Sequence, residues 1–276
     1  MERRLKELLT SFKTLDGKMA VLTGAGISAE SGIPTFRGPE GYWTVGSKQY
    51  RPEEMATRTM FCIDPWEVWS WYLYRRTVCR HAEPNLGHIV VGKLESILAE
   101  RFRLITQNVD GLHLRAGNTL TATYQIHGNI NYMRCSRPCS QELFPIPTAI
   151  GPTDRGHSVT DEEKHLLCCP LCGFMTRPHV LWFDECYDEM LFRFESSLRW
   201  ARQIDLLIVV GTSGATNLPT QIGTLVARKA EALFIDINPR PNPFRELALR
   251  HPHGFALEAT SGEALPEILA QLESSD

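Results

Sequence analysis

Nowhere in the 276 residues does an uncharged apolar run approach the ~20 needed to cross a bilayer, so no membrane-spanning helix is expected. The first nine residues, Met1-Glu2-Arg3-Arg4-Leu5-Lys6-Glu7-Leu8-Leu9, lack the apolar core of a secretory signal. Their two glutamates argue against an organelle transit peptide, and their leucines fall at helical spacing, which predicts an amphipathic first helix. A cytoplasmic location is the resulting expectation. No excess of one charge exists either. The 29 basic and 32 acidic side chains leave a net charge of −3, which gives no reason to expect nucleic-acid contact. Internal repeats and low-complexity tracts are missing, which excludes solenoids and flexible arrays. With no secretory context, the eight cysteines are better suited to a metal site than to a disulfide framework.

What is present is a chain that is 43% apolar and 22% charged, long enough to bury one large core or a large and a small one. Short apolar strands alternate with helical segments. The strands are expected at Met19–Thr23, Phe102–Thr106, Ala122–Gln125, Leu206–Val210 and Leu233–Ile237. Helices are expected at Pro65–Val78, Leu86–Glu100, Glu189–Arg199, Thr220–Lys229 and Leu265–Glu273. That alternation predicts an α/β fold with a parallel sheet covered on both faces. Two stretches break it: an aromatic-rich helical one from about Gly38 to His88, and a Cys-, Pro- and Gly-rich one from Asn131 to Pro178. Both read as insertions that form a smaller domain beside the sheet.

The strand Met19–Thr23 runs into Gly24-Ala25-Gly26-Ile27-Ser28. A strand leading into Gly-x-Gly is where a dinucleotide-binding fold seats pyrophosphate, with the following helix supplying free N–H groups. The third glycine comes late, since five residues separate Gly26 from Gly32, so spacing alone leaves an ordinary Gly-rich turn open. Gln107, Asn108 and Asp110 follow another strand and would lie at the carboxyl end of the sheet. Capping of the next helix by Asn108 or Asp110 remains an alternative there. His127-Gly128 closes a further strand, where an imidazole can act as general base near neutral pH. Gly211-Thr212-Ser213 and Asn238 place small polar groups after two more strands. The pairs Cys135/Cys139 and Cys169/Cys172 have the spacing of a closed four-thiolate zinc site, structural rather than catalytic. Cys168 competes with Cys169, but the Cys-x-x-Cys-Gly knuckle favours Cys169.

Taken in order, Gly-Ala-Gly-Ile-Ser…Thr-Phe-Arg, Thr-Gln-Asn-Val-Asp, His-Gly-Asn, paired cysteines, Gly-Thr-Ser and Ile-Asn strongly resemble a sirtuin, an NAD-dependent protein-lysine deacylase. The resemblance covers about residues 14–272. It implies that residues 1–276 form a sirtuin catalytic domain. Residues 14–37, 89–130 and 179–276 would make a Rossmann-type NAD-binding large domain. The helical module 38–88 and the zinc-ribbon module 131–178 would make the small one. NAD and the acyl-lysine peptide would bind in the cleft between them. The resemblance further implies that Gly24, Ala25, Gly26 and Ser28 hold the pyrophosphate. Thr35, Phe36 and Arg37 would belong to a cofactor loop. Gln107, Asn108, Val109 and Asp110 would line the nicotinamide and ribose pocket, with Asn108 and the base His127 as the catalytic pair. Gly211, Thr212, Ser213, Asn238 and Ser261 would contact the nucleotide. The family chemistry has the acyl oxygen attack the ribose carbon as nicotinamide leaves. His127 then helps deprotonate a ribose hydroxyl, and the products are free lysine, nicotinamide and 2′-O-acyl-ADP-ribose.

Tyr72 and Arg75 form an i, i+3 pair within Trp69-Ser70-Trp71-Tyr72-Leu73-Tyr74-Arg75-Arg76. This Tyr-x-x-Arg looks like the signature of class III sirtuins, which implies removal of succinyl, malonyl or glutaryl groups. An arginine would pair with the acyl carboxylate and a tyrosine hydroxyl would add a hydrogen bond. Val180, Trp182 and Phe183 match the family's substrate strand. Asp184 stands where glycine is usual, and Gly214–Pro219 departs from the usual apolar stretch, so peptide preference is expected to be unusual. The expected partners are acyl-lysine proteins met by a monomer, with no membrane and no nucleic acid. Plain deacetylation, mono-ADP-ribosyl transfer and a non-enzymatic NAD-sensing zinc-ribbon module are the competing readings.

Overall fold

The computed structural model describes residues 2–34, 43–45 and 48–274. Helix α1 (Arg3–Thr14) buries Leu5, Leu9 and Phe12, an apolar stripe at helical spacing, and leads into strand β1 (Met19–Thr23). The Gly-rich segment after β1 does not start an α-helix. Ala25–Ser31 winds as a 3₁₀-helix and ends at Gly32, whose φ of +79° few other residues adopt. Glycines and serines have low helical propensity, which suits a short, tight turn of this kind.

A hairpin of β2 (Trp43–Val45) and β3 (Lys48–Tyr50) precedes helices α2 (Pro52–Met55), α3 (Arg58–Ile63) and α4 (Pro65–His81). Helix α4 starts sharply because Asp64 caps it and Pro65 opens it. Helix α5 (Leu86–Leu98), capped by Asn85, leads to β4 (Phe102–Thr106), α6 (Leu112–Arg115) and β5 (Thr123–Gln125). The cysteine-rich region contributes β6 (Gly128–Cys135), β7 (Phe144–Pro145), α7 (Asp161–Leu166) and β8 (Thr176–Val180).

The helix expected over 189–199 is broken into α8 (Glu189–Phe192) and α9 (Phe194–Ala201) by Arg193, a non-glycine residue at φ 54°. The Glu189 carboxylate accepts from the Ser196 N–H, which stabilises the start of the second piece. The chain closes with β9 (Leu206–Val210), α10 (Asn217–Ala227), β10 (Leu233–Ile237), α11 (Pro243–Arg250), β11 (Gly254–Leu257) and α12 (Ser261–Glu273). Strand β11 was not among those expected. Helix α12 begins four residues early because Thr260 and Glu263 form a capping box.

One sheet has the order β11-β10-β9-β1-β4-β5 with every pairing parallel. Alternate residues serve opposite faces. Met19 and Val21 of β1, with Leu206 and Ile208 of β9, pack under α1, α5 and α12. Ala20 and Leu22, with Leu207 and Val209, pack under α9, α10 and α11. A parallel sheet buried on both faces explains the unbroken apolar strands. The separate antiparallel sheet β7-β6-β8 packs with α4 around Trp69, Trp71, Tyr72, Met133 and Trp182. The fold is thus α/β, a Rossmann-type parallel sheet beside a smaller module of helices and ribbon. Among the described residues, no helix is long and apolar enough to cross a membrane.

Candidate active site

Strand register decides what meets at the sheet's carboxyl edge. Thr23 pairs with Thr106 on one side and with Val210 on the other, and Val210 pairs with Ile237. The residues that follow, Gly24, Gln107, Gly211 and Asn238, therefore share one edge. The chain crosses from β4 and β5 on one side of β1 to β9 on the other. That reversal is where open α/β sheets leave a crevice. At this crevice two turns interlock. A Cβ on Gly26 would stand 2.6 Å from Gly211 Cα, and a Cβ on Gly211 would stand 2.5 Å from the Ile27 nitrogen. Two backbones pack directly at this point, with no room for side chains.

Beneath the Gly-rich turn lies a closed polar network. Asn108 Nδ2 donates to the Gly24 carbonyl (3.0 Å) and to Ser28 Oγ (3.1 Å). Ser28 Oγ donates to Asp110 Oδ2 (2.7 Å), and Asp110 Oδ1 accepts from the Leu112 N–H (2.9 Å). All three side chains are buried. Burial pushes the Asp110 carboxyl up, against the bonds from Leu112 and Ser28 and the charges of Arg115 and Arg75. Gln107 Nε2 donates to Thr212 Oγ1 (2.8 Å) and the Thr23 carbonyl (3.2 Å), while its Oε1 accepts from Thr216 Oγ1 (3.0 Å). Asn238 Nδ2 donates to Asp236 Oδ1 (3.0 Å) and the Thr212 carbonyl (3.4 Å). Ser261, at the start of α12, donates to Glu30 Oε2 (2.7 Å).

His127 sits between β5 and β6. Gly128 follows at φ +87°, and a Cβ there would stand 2.1 Å from the His179 carbonyl oxygen, so the turn requires glycine. His127 Nδ1 lies 3.0 Å from the Gln107 carbonyl. A carbonyl only accepts, so Nδ1 carries the proton and Nε2 the lone pair. Burial lowers the His127 pKa to about 4, against the Gln107 bond, so the ring is neutral at pH 7. Nε2 lies 2.8 Å from the Tyr187 hydroxyl.

The small module faces this edge. Leu181 N–H donates to the His127 carbonyl (3.0 Å), which sets the chain after Val180 beside the imidazole. Trp182 is buried, and its Nε1 donates to the Tyr72 hydroxyl (3.0 Å). Tyr72 is buried too, and burial pushes its phenol well up. Arg75 is half-buried one turn on, its guanidinium 5.2 Å from the Trp71 ring centroid. Phe183 is exposed, with its N–H donating to the Ala56 carbonyl (3.0 Å). Asp184 accepts from the backbone N–H of Arg58 (2.7 Å) and Thr59 (3.0 Å) and from Thr59 Oγ1 (3.0 Å), so it satisfies the first two N–H groups of α3 while Thr57 is the N-cap.

The sulfur atoms of Cys135, Cys139, Cys169 and Cys172 all lie within 4.8 Å of one another. Sγ separations are 3.6 Å for Cys135–Cys172 and 3.7 Å for Cys139–Cys169. Four thiolates at about 2.3 Å around one tetrahedral zinc would stand about 3.8 Å apart. The cluster fits that ion. Cys168 lies outside it and donates to the Lys164 carbonyl (3.4 Å).

Gly24, Gly26, Gln107, Asn108, Asp110, Gly211, Thr212 and Asn238 thus gather at the carboxyl edge of the sheet, with Ala25 between the two glycines; Val109 packs against the small-module cluster, and Ser213 is exposed. Ser28 lies below the turn, committed to Asp110. Ser261 bonds the exposed Glu30, near the end of the 3₁₀-helix that follows Gly24. Thr35, Phe36 and Arg37 lie outside the described residues. Tyr187 and Thr216 were not singled out as site residues. Thr216 lies inside the departing segment Gly214–Pro219, whereas nothing in the spacing around Tyr187 marks it.

The sequence pattern of the Sir2 family matches residues 24–217. A protein of Leptospira interrogans named NAD-dependent protein deacylase is 38% identical over 272 residues, 97% of this chain and 98% of its own. The NAD-dependent protein deacylase 1 of Pseudomonas aeruginosa is 35% identical over 268 residues, 97% of each chain. Among solved structures, the crystal structure of a Sir2 homologue in complex with NAD superposes with a TM-score of 0.78 at 31% identity, covering 99% of this chain and 94% of that one. On these matches and the fold they share, the chain belongs to the Sir2 family.

Proposed function

We propose that this chain is an NAD-dependent protein-lysine deacylase that favours acyl groups ending in a carboxylate, and that it releases nicotinamide and 2′-O-acyl-ADP-ribose. The observation that carries the reading is the meeting, at one sheet edge, of the neutral His127 imidazole with the buried Asn108 and Asp110. The relatives named NAD-dependent protein deacylase support the reaction class. The donor set suits NAD. Gln107, Asn108 and Asp110 offer amide and carboxylate groups for a carboxamide and ribose hydroxyls. Close backbone packing of Gly24 and Gly26 on Gly211 and Thr212 would shape the turn on which pyrophosphate rests, with Ala25 beside it. Thr212, Ser213, Asn238 and Ser261 border the nucleotide end, and Val109 closes the pocket wall. NAD supplies the electrophilic ribose carbon. His127 Nε2 accepts the proton of a ribose hydroxyl, a step an imidazole held neutral by burial performs at pH 7.

Preference for succinyl, malonyl or glutaryl groups rests on Tyr72 and Arg75. Trp182 orients the Tyr72 hydroxyl by donating to it, which leaves that hydroxyl's own proton for an acyl carboxylate. Val180 and Phe183 would border the peptide, and Trp182 would act from behind through Tyr72. Zinc in the four-cysteine cluster would hold the ribbon. Balanced charge supports protein substrates rather than nucleic acid, and we take the working unit to be a cytoplasmic monomer. Incubation with NAD and matched acetyl-, succinyl- and glutaryl-lysine peptides, followed by mass spectrometry, tests the reading. The expected result is acyl-ADP-ribose with the acidic acyls turned over faster. Absence of nicotinamide release would remove the enzyme. His127→Ala is expected to bind NAD but lose about 100–10,000-fold in turnover.

A further inference from the structure

A base must present a lone pair to the hydroxyl it deprotonates. Nδ1 of His127 is committed to the Gln107 carbonyl, so Nε2 is the atom that must do this. Its lone pair is already taken by the Tyr187 hydroxyl, 2.8 Å away and able only to donate to it. Burial pushes the Tyr187 phenol up to about 12, which keeps that proton in place at neutral pH. The same hydroxyl has a second polar neighbour, the side chain of Thr216, which itself donates to Gln107 Oε1 and so keeps lone pairs for another donor.

The segment carrying Tyr187 is pinned. Phe183 N–H donates to the Ala56 carbonyl, Asp184 accepts from two N–H groups at the start of α3, and Glu185 makes a two-point ion pair with Arg177. The Tyr187 ring stacks on Phe194 with centroids 6.0 Å apart.

We infer that Tyr187 is a positioning residue that stands in for the ribose hydroxyl, closing Nε2 of His127 in the free enzyme and turning to Thr216 when NAD is seated. The inference rests on the reading of His127 as base. The exchange leaves no buried hydroxyl unpaired, because Tyr187 donates in both states. It also keeps the imidazole in the tautomer the reaction needs until the substrate hydroxyl replaces the phenol. The competition lowers NAD affinity by about the net worth of one neutral hydrogen bond, roughly two- to tenfold in the dissociation constant.

The test is Tyr187→Phe in the full chain, with NAD binding measured by calorimetry without peptide and the His127 ring followed by ¹⁵N NMR. NAD is expected to bind about two- to tenfold more tightly. The Nε2 resonance of the free protein is expected to move toward that of a nitrogen accepting no hydrogen bond. A merely structural tyrosine would predict weaker NAD binding. An unchanged Nε2 resonance, or an affinity that fails to rise, overturns the inference. Thr216→Val supplies a second arm. It removes the alternative acceptor and is expected to weaken NAD binding in the parent but to weaken it less in the Tyr187→Phe background. The lost Thr216–Gln107 bond is common to both backgrounds and cancels. Equal weakening overturns the exchange. Tyr187→Leu is read by the same criteria if the phenylalanine variant does not fold. His127→Ala separates the two readings. Retained turnover there removes the base itself, whereas an inactive His127→Ala with unaltered NAD affinity in Tyr187→Phe removes only the exchange.

Discussion

Arg75→Met tests the acyl preference most directly. Methionine keeps an unbranched apolar stem against Trp71, so the substitution removes charge and hydrogen bonding while much of the packing stays. The magnitude follows from where the guanidinium sits. An exposed ion pair is worth about 0–1 kcal/mol, and breaking a fully buried one costs about 3–5 kcal/mol. Arg75 is half-buried, beside a Tyr72 that is fully enclosed. The relevant figure is that of a charge-assisted hydrogen bond, about 1.5–3 kcal/mol, or roughly 10–150-fold in kcat/KM for a succinyl-lysine peptide. Acetyl-lysine presents no carboxylate and should lose little through this route. One side effect is common to both substrates. The Arg75 charge opposes the upward push of burial on Asp110, so its loss raises that carboxyl further. The ratio of the two kcat/KM values cancels this, and it is the quantity to measure, by mass spectrometry of matched peptides in parent and variant. A ratio that stays within about threefold would refute the reasoning and return the helix to a structural role.

Metal analysis is expected to find about one zinc per chain, and Cys135→Ser or Cys172→Ser to lose it together with the ribbon's structure, since structural zinc supplies folding energy directly; folded, active protein without zinc would contradict this. Asp184→Ala removes the acceptor of two N–H groups at the start of α3 and is expected to lower stability by about 0.5–2 kcal/mol in urea denaturation, with no change if those bonds are unimportant. Acid lability should begin near pH 6.5, because burial lowers the pKa of His88 to about 4, of His179 to about 3 and of His113 well below its usual value. A histidine depressed in the fold binds protons more readily when unfolded. Its stabilisation is thus present above the unfolded pKa and lost as pH falls toward the folded one, at up to about 1.4 kcal/mol per pH unit for each group. A urea midpoint that is flat from pH 6.5 to 4 would contradict the buried neutral state of these rings.

The parallel sheet was legible because its strands are buried on both faces and so read as continuous apolar runs, as in Leu206–Val210. Strand β11 was not. It is short and partly exposed, and it follows the His251-Pro252-His253 turn, so its pairing with β10 rather than its composition makes it a strand. Polar residues at strand ends were legible as a set because a single edge collects them. Their individual partners were not. Ser28 looked like a pyrophosphate ligand, yet its hydroxyl is spent on Asp110, 82 positions away. Trp182 looked like a peptide contact, yet it is buried and bonds Tyr72 across 110 positions. Tyr187 meets His127 across 60 positions, and no local spacing encodes such a meeting. The cysteine competition was resolved by geometry, since Cys168 pairs with Met175 across a β-bridge and points its sulfur at Lys164.

Asp184 deserves a physical reading beyond its oddity in the sequence. A glycine there would leave two N–H groups at the start of α3, and the Thr59 hydroxyl, without the hydrogen bonds that Asp184 accepts. The carboxylate ties the segment after β8 to α3, and α3 packs directly on α4, which carries Tyr72 and Arg75. On the other side, Glu185 ties the same segment to Arg177 of β8, and Trp182 ties it to Tyr72. Helix α4, α3 and the segment after β8 that leads to Tyr187 are therefore tied together. On the proposed function and the inferred exchange, a substrate that engages Arg75 and an NAD molecule that displaces Tyr187 would act on the same linked segment. Coupling between the two ligands would then need no large motion, because one segment borders both of their proposed sites. The side chain with a second polar neighbour to turn to is Tyr187, so the coupling would be read at His127, where the acyl and nucleotide halves of the cleft meet.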